Sequence, residues 1–530
     1  MSTPRAGGGR TENQAALEEY KRLFAAETQH GEALLSYLSR SDCGVWRCEQ
    51  DRHDSRRWWL NITLPNHVAE MFDAHAEIQL VYVEYNRVEP RLFELVQQRI
   101  RGNARLDPGL MLIASLDSQV GALTRRRRGE FAAIDFLLTD LGTDAPDIRY
   151  RMSSVLTSVD HYDFSNPVRD PSGFFGRRTE FDQIIAAIER RQSVGIFGLR
   201  KTGKTSLMNF VSGHRREAGK LVIWLDISGL TGADDFRSRV LEGVRGAAVG
   251  DGGSGAALPK LRTISRAGTL TSDVATIRQN WLRDLEALAE YVGAPVELFI
   301  DEVDQLLPTR SYLGEEEANQ LLIAVTQLRG MIQGARPGAE VVLVCAGVNP
   351  AIFERPLLPN GTDNLLYKLV RLTYLAPHSR DEMAEMVRDL GRRMGVRVRD
   401  HQVIDFLFAE YGGHALLTRK ACSRAASERP RDEVPWHMTL ADIEAASNAT
   451  GPGTPLQQAA EILESFGEWF PDEATMLHEL WSHDADAEAV ARELIREDPK
   501  QIAHAAPYGL LRRDTLDARI RAVQRSVSEL

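Results

Sequence analysis

The sequence predicts an α/β protein of several domains organised around a parallel β-sheet, and three observations carry that expectation. From about residue 193 to residue 347, apolar β-branched runs alternate with helical stretches, the pattern of strands covered on both faces by crossover helices. The first of those runs ends in a glycine-containing loop that opens directly into a helix. The chain has 530 residues, 43% of them hydrophobic and 26% charged. At roughly 150 residues per domain, that length implies about three or four separate cores.

The same composition excludes several classes. With 64 basic and 75 acidic side chains the formal charge is −11. That balance argues against bulk electrostatic binding of nucleic acid, which rests on basic residues displacing counterions from phosphates. A local basic patch stays open. Four cysteines (Cys43, Cys48, Cys345 and Cys422) are too few and too scattered for a disulfide scaffold. The pair Cys43 and Cys48 is followed by no second pair at metal-ligand spacing, so all four read as reduced and structural. There is no apolar run of about 18 residues, and the polar N-terminus lacks a secretory signal pattern. The expectation is a cytoplasmic protein with no membrane partner.

Taken in order, residues 1–15 are rich in Gly, Ser, Thr and Arg and read as a mobile tail. A helical pattern runs from Gln14 to about Leu38. The short apolar runs CGVWRC and RWWLNITL follow, then a strand over 77–86, a helix over 89–101 and a strand over 109–117. Residues 16–159 thus form a small α/β domain, a sensor or effector. The stretch DHYDFSNPVRDPSG (160–173) reads as a linker. Strands follow over 193–198, 221–227, 296–301 and 341–347, making a core over 160–375, with a flexible insert GVRGAAVGDGGSG (243–255) inside it. After about Ala376 the strands stop. Helical patterns fill 376–450 and, past the breaker TGPGTP, 451–530.

The strongest chemical signal is Gly198-Leu199-Arg200-Lys201-Thr202-Gly203-Lys204-Thr205-Ser206, which fits G-x-x-x-x-G-K-[ST] between a strand and a helix. Its glycines let the loop curl so that backbone N–H groups point at phosphate oxygens, and the helix N-terminus adds its positive dipole end. Lys204 is placed to reach the β- and γ-phosphates of a nucleotide and the Thr205 hydroxyl to ligate Mg2+. Such a loop needs an acidic partner on a neighbouring strand, and Leu298-Phe-Ile-Asp301-Glu302 supplies one. Asp301 would hold the magnesium and Glu302 would polarise the attacking water. Asn349, where the next strand meets its loop, is a catalytic candidate placed to position that water or sense the γ-phosphate; the alternative is that it makes a turn before Pro350.

These segments, with Phe174-Phe175-Gly176-Arg177-Arg178-Thr-Glu180 before them and Tyr411-Gly-Gly413-His414 after them, resemble the AAA+-related STAND and archaeal-type P-loop ATPases, a group similar to origin-recognition ATPases. The resemblance spans about residues 160–450, with the motifs in the family's order. It implies ATP and Mg2+ as ligands, with Phe175 and Arg177 near the adenine. It also implies that 376–450 is a helical lid, in which His414 approaches the phosphates and Arg419 acts as a second sensor. Ala415 stands where the family has proline, which puts the role of His414 in doubt. If subunits assemble into a homo-oligomer, the resemblance implies an arginine finger, for which Arg355, Arg371 and Lys368 are candidates.

Three helices followed by a Tyr508-Gly-Leu-Leu511 step resemble a C-terminal winged helix, with Arg512, Arg513, Arg519 and Arg521 as candidate phosphate contacts to DNA or, alternatively, with a protein as the partner. In the first domain Glu77, Glu84 and Asp117 are candidate carboxylates for a nuclease, but no E-x-K lysine accompanies them. The run Arg125–Arg128 reads as a phosphate loop or as a solvated helix start. The expected function is a nucleotide-driven switch for assembly or signalling. The alternatives are a DNA-bound loader and a cryptic nuclease effector.

Overall fold

A computed structural model of the chain describes residues 8–528, apart from 73, 75–76, 127–131, 157–159, 164–173, 251–258, 264–269, 272, 308–310, 335–337, 359, 431–434 and 483. The chain clusters as two units. One comprises 1–164, 384–406 and 419–448; the other comprises 165–383, 407–418 and 449–530. Among the described residues no helix is long and apolar enough to cross a membrane.

The first unit is built on a five-stranded sheet of β1 (Gly44–Gln50), β2 (Arg57–Thr63), β3 (Glu77–Val83), β4 (Leu106–Ser115) and β5 (Ala132–Leu137), arranged in chain order. β1, β2 and β3 pair antiparallel, and β3, β4 and β5 pair parallel. Side chains alternate between two cores. Trp58, Leu60, Ile78, Leu80 and Tyr82 join one, with Phe24 and Tyr37 from the preceding helices. Trp59, Val81 and Val83 join the other, with Phe93 and Val96 of the helix Arg91–Arg101. The expected tail is shorter than the sequence suggests, because the first helix begins at Gly8 and runs to Glu27.

The second unit holds β6 (Val194–Phe197), β7 (Val222–Asp226), β8 (Val296–Asp301), β9 (Val341–Gly347) and β10 (Arg371–Tyr374). They form an all-parallel sheet in the order β10-β6-β9-β8-β7. The acidic strand β8 is therefore not the neighbour of β6, as expected: β9 lies between them. The edge strand β10 (Arg-Leu-Thr-Tyr) escapes a periodicity reading because it carries no apolar run, unlike the equally short β6 (Val-Gly-Ile-Phe). The segment 243–255, expected as a flexible insert, is helical as far as Gly250, since the helix Ala233–Gly250 continues through it; 251–255 lie outside the described residues.

The stretch 376–450 does not cluster as one piece. Its helices Arg380–Arg392, His401–Tyr411 and Ala415–Ser427 each change unit along their length. Within the first unit the reason is a set of bonds to residues 160–163, the described part of the expected linker. The Tyr162 hydroxyl donates to the Val387 carbonyl, Ser423 donates to Asp160, and Lys420 pairs with Asp163. Nor is the stretch free of strands: Val396–Arg397 and Trp436–His437 pair in parallel. The C-terminal stretch consists of helices Pro455–Trp469, Pro471–Leu480, Ala485–Glu497 and Arg521–Ser528. One antiparallel bridge, Leu511 to Ala518, stands where a wing is expected.

Candidate functional site

Parallel strands point their carboxyl ends the same way, and the loops at that edge collect the predicted residues. β6 ends at Phe197, the loop follows, and the helix Lys204–Glu217 begins with Gly203 at φ +95°. Lys204 Nζ donates to the carbonyls of Gly198 (3.1 Å) and Leu199 (2.8 Å), and Thr202 Oγ1 donates to Leu199 O at 2.9 Å. The loop thus holds its own lysine in place. Ser206 is buried one position beyond Thr205, while Arg200 and Lys201 are exposed.

β8 delivers the acids. Asp301 is buried, which raises its pKa while the neighbouring Thr205 side chain pulls it back, and its Oδ1 accepts the Glu302 N–H at 3.0 Å. Glu302 itself has φ +54°, a left-handed conformation uncommon for a residue with a side chain, at the strand end where the chain turns. A third carboxylate, Asp304, is 1% exposed. Its Oδ2 accepts the Val348 N–H at 3.2 Å, and its Oδ1 has no partner among the described residues. Burial raises the pKa of all three acids. Glu302 is pushed further up by Asp304, and Lys204 pulls it and Asp304 back. The lysine's own pKa is lowered by burial, against the pull of those three carboxylates. Asp304 was legible in the run Asp301-Glu302-Val303-Asp304, which places three acids within four positions.

Asn349 makes the turn: its Oδ1 accepts the Ala351 N–H at 2.8 Å and opens the short helix Ala351–Glu354. Phe175 is buried, and Arg177, 4% exposed, donates to the Thr202 carbonyl at 3.3 Å and pairs with Glu180. The backbone bend that allows this uses Gly176 at φ +62°, where a Cβ would fall 2.5 Å from Glu382 Oε1. Glu382, which the sequence reading missed, accepts the Arg177 N–H and both the N–H and hydroxyl of Ser379. These bonds, with His378 beside it, hold its pKa well below the carboxylate range.

His414 reaches the loop. Its Nε2 lies 3.2 Å from the Arg200 carbonyl, and Nδ1 accepts the Leu417 N–H, so the ring occupies one of the first N–H groups of the helix Ala415–Ser427. Burial pushes its pKa down to about 4, and the neutral ring donates through Nε2. Gly413 is obligatory here: at φ +84°, a Cβ would sit 2.0 Å from the His378 carbonyl. Arg419 has other partners. Its half-buried guanidinium donates to the carbonyls of Tyr162 and His161, which supply the acceptors a partly desolvated cation needs.

The finger candidates Arg355, Arg371 and Lys368 are all exposed. Arg371 opens β10 opposite Val194, at the edge of the sheet remote from the loop. Of the proposed DNA contacts, Arg512, Arg513 and Arg521 are exposed, whereas Arg519 donates to the carbonyls of Gly412 and Pro377. The candidate nuclease acids do not converge. Glu77 binds Asn61 and Arg105, Glu84 accepts from Tyr82 and Gln29, and Asp117 accepts the N–H groups of Val88 and Gln119. The Arg125–Arg128 side chains lie outside the described residues.

The donor set at the loop suits magnesium taken together with phosphates: the Thr205 hydroxyl and the Asp301 carboxylate are neighbours, and the buried Asp304 has an oxygen without a partner among the described residues. Among the described residues no three His, Cys, Asp or Glu side chains gather as a protein-only metal site would require.

No family model matches the chain, and no curated protein matches it. Solved structures do. The Walker-type ATPase PABY2304 of Pyrococcus abyssi is 12% identical with a TM-score of 0.44, over 69% of this chain and 99% of that one. Cdc6p from Pyrobaculum aerophilum is 13% identical with a TM-score of 0.35, over 69% of this chain and 95% of that one. The fold is read from the chain's own strands: an all-parallel sheet in which the loop after β6 opens into the helix at Lys204 gives a P-loop-type α/β fold.

Proposed function

We propose that the chain binds ATP with Mg2+ at the 198–206 loop, hydrolyses it, and uses the change of nucleotide as a switch for assembly or signalling. The observation that carries this reading is the grouping of Lys204, Thr205, Asp301 and Glu302 at one sheet edge, with buried carboxylates facing one lysine. Lys204 would exchange the carbonyls of Gly198 and Leu199 for phosphate oxygens. Thr205 and Asp301 would hold the magnesium, which offsets phosphate charge when bound. Glu302, partly buried and with its pKa raised by that burial, would take a proton from the attacking water.

Switching requires contacts that differ between ATP and ADP. Two side chains are suited to feel the loop move: Arg177 on the Thr202 carbonyl and His414 on the Arg200 carbonyl. Homo-oligomerisation with Arg355 as the finger fits this reading, because that side chain is exposed past β9. The second reading, a DNA-bound loader, is favoured by Arg512 and Arg513 standing exposed in the turn between the bridged residues Leu511 and Ala518. Steady-state ATP turnover at rising protein concentration, with and without duplex DNA, separates them. Turnover that rises with protein and ignores DNA supports the switch. A negligible rate in every condition overturns it.

A further inference from the structure

The first unit contains a groove of about 1930 Å3 that the nucleotide site does not use. Helix Gly8–Glu27 lines it with Lys21 and Arg22, β1 with Trp46 and Arg47, and the helix Arg91–Arg101 and the turn after it with Arg99 and Arg105. Five cations thus face two lining carboxylates, Glu18 and Glu77, in a chain whose overall charge is negative. Arg22 is exposed and has no carboxylate partner among the described residues. Lys21 pairs with Glu18, and Arg47 and Arg99 share Glu49. The floor is built of buried polar groups. Asn61, 4% exposed, donates to Glu77 Oε2 at 2.9 Å, and Arg105 holds the other oxygen of Glu77, so the one acid at the base is neutralised toward an incoming anion.

Beside the cations stands an aromatic ring that is both open and fixed. Trp46 is 62% exposed, yet its indole Nε1 donates to Thr63 Oγ1 at 3.0 Å. Gly44 makes room for that bond, since a Cβ there would fall 2.6 Å from the same hydroxyl oxygen. A large apolar ring left in water but held in one orientation is a stacking platform. Cations that follow a phosphate chain, combined with an aromatic face for an unpaired base, are the chemistry of single-strand recognition.

We infer that this groove binds single-stranded nucleic acid, with phosphates on Arg22, Arg47 and Lys21 and a base on Trp46. An acidic peptide would use the cations and leave the ring idle, and a duplex would keep its bases from it. Glu77, Glu84 and Asp117 are each held by their own donors, so the proposed role is capture.

The test uses the full chain and the anisotropy of labelled single-stranded DNA, single-stranded RNA, the matching duplex and polyglutamate across a salt series. Binding of either single strand, at least tenfold tighter than the duplex and polyglutamate, is the expected result; the tighter single strand identifies the source. Trp46→Ala should weaken it about tenfold. Arg22→Ala with Arg47→Ala should lower the salt slope by about one to two. Arg512→Ala with Arg513→Ala should leave it unchanged, and none of these variants should alter ATP turnover. Photo-crosslinking from an iodouracil-bearing strand, mapped to the peptide containing Trp46, reads the same contact without a variant. No single-strand binding, equal binding of polyglutamate or duplex, loss in the Arg512 and Arg513 variant, or crosslinks confined to other peptides would each overturn the proposal.

Discussion

The two units treat buried carboxylates in opposite ways. In the first, Glu77, Glu84 and Asp117 sit on or just beyond three strand ends, and each is matched by its own donors: Asn61 and Arg105, Tyr82 and Gln29, the N–H groups of Val88 and Gln119. In the second, Asp301, Glu302 and Asp304 crowd into four positions around Lys204, raise one another's pKa and leave one oxygen without a donor. A satisfied carboxylate stabilises local structure and has little affinity left for anything else. A crowded, under-bonded set is costly to hold, and it persists where a ligand supplies the missing charge. The difference separates scaffold from site more sharply than exposure or residue type does.

The largest test of that contrast is Lys204→Ala, which should abolish ATP binding in equilibrium titration by leaving three acids facing the phosphates. Glu302→Gln should retain binding and lower turnover by about 10²- to 10⁴-fold. Equal nucleotide retention and equal activity in the two variants would dissolve the assigned roles.

A cation matched by acids gives the intermediate case. His504 lies 2.7 Å from Glu473 and 3.0 Å from Glu354, and these partners outweigh its burial and push its pKa up to about 9. Its charge stabilises the folded second unit fully below the imidazole's ordinary 6.5, and that contribution is lost as pH rises through about 9. The size is on the order of 3 kcal/mol. The unfolding transition that ATP shifts upward should therefore weaken across that window, and His504→Gln should remove the dependence.

On the scaffold side, Asp117→Ala should cost about 2 kcal/mol in the transition that ATP does not shift, and leave turnover unchanged. A fall in turnover would make that acid more than scaffold. The smallest effect is in the pH profile. Because burial and Asp304 raise the pKa of Glu302, the acid limb of turnover should lie above the ordinary glutamate range. Asp304→Asn should move that limb down.

The loop, Asp301 and Glu302 were legible because their chemistry is local: a strand, six loop residues and a helix start are contiguous, and an apolar run ending in two acids reads the same in any fold. β3, β4 and the strands β6 to β9 were legible for the same reason, since each is largely a local apolar run, and β1 and β2 were legible only as short apolar runs. β5 and β10 were not read: Ala132–Leu137 is short and holds one β-branched residue, and Arg371–Tyr374 has no apolar run, unlike the equally short β6. The helix through Gly250 was not either, because its glycines and alanines read as linker while neighbouring Val240, Leu241 and Val244 are buried by packing. Arg419 illustrates the limit for side chains. The family resemblance suggests a sensor there, but a guanidinium drawn into the fold binds whichever carbonyls the fold brings to it, here those of residues 161 and 162.

The sequence by itself determined that the chain has a phosphate loop, an acidic strand end and an α/β frame to hold them. Only the tertiary structure decided that β9 stands between the loop strand and the acidic strand, that Arg177 and His414 reach the carbonyls of Thr202 and Arg200, and that 376–450 divides between two units. Strand order, these side-chain contacts and unit boundaries all depend on contacts between residues far apart in the chain, and no local pattern of residues encodes which distant partner each one finds.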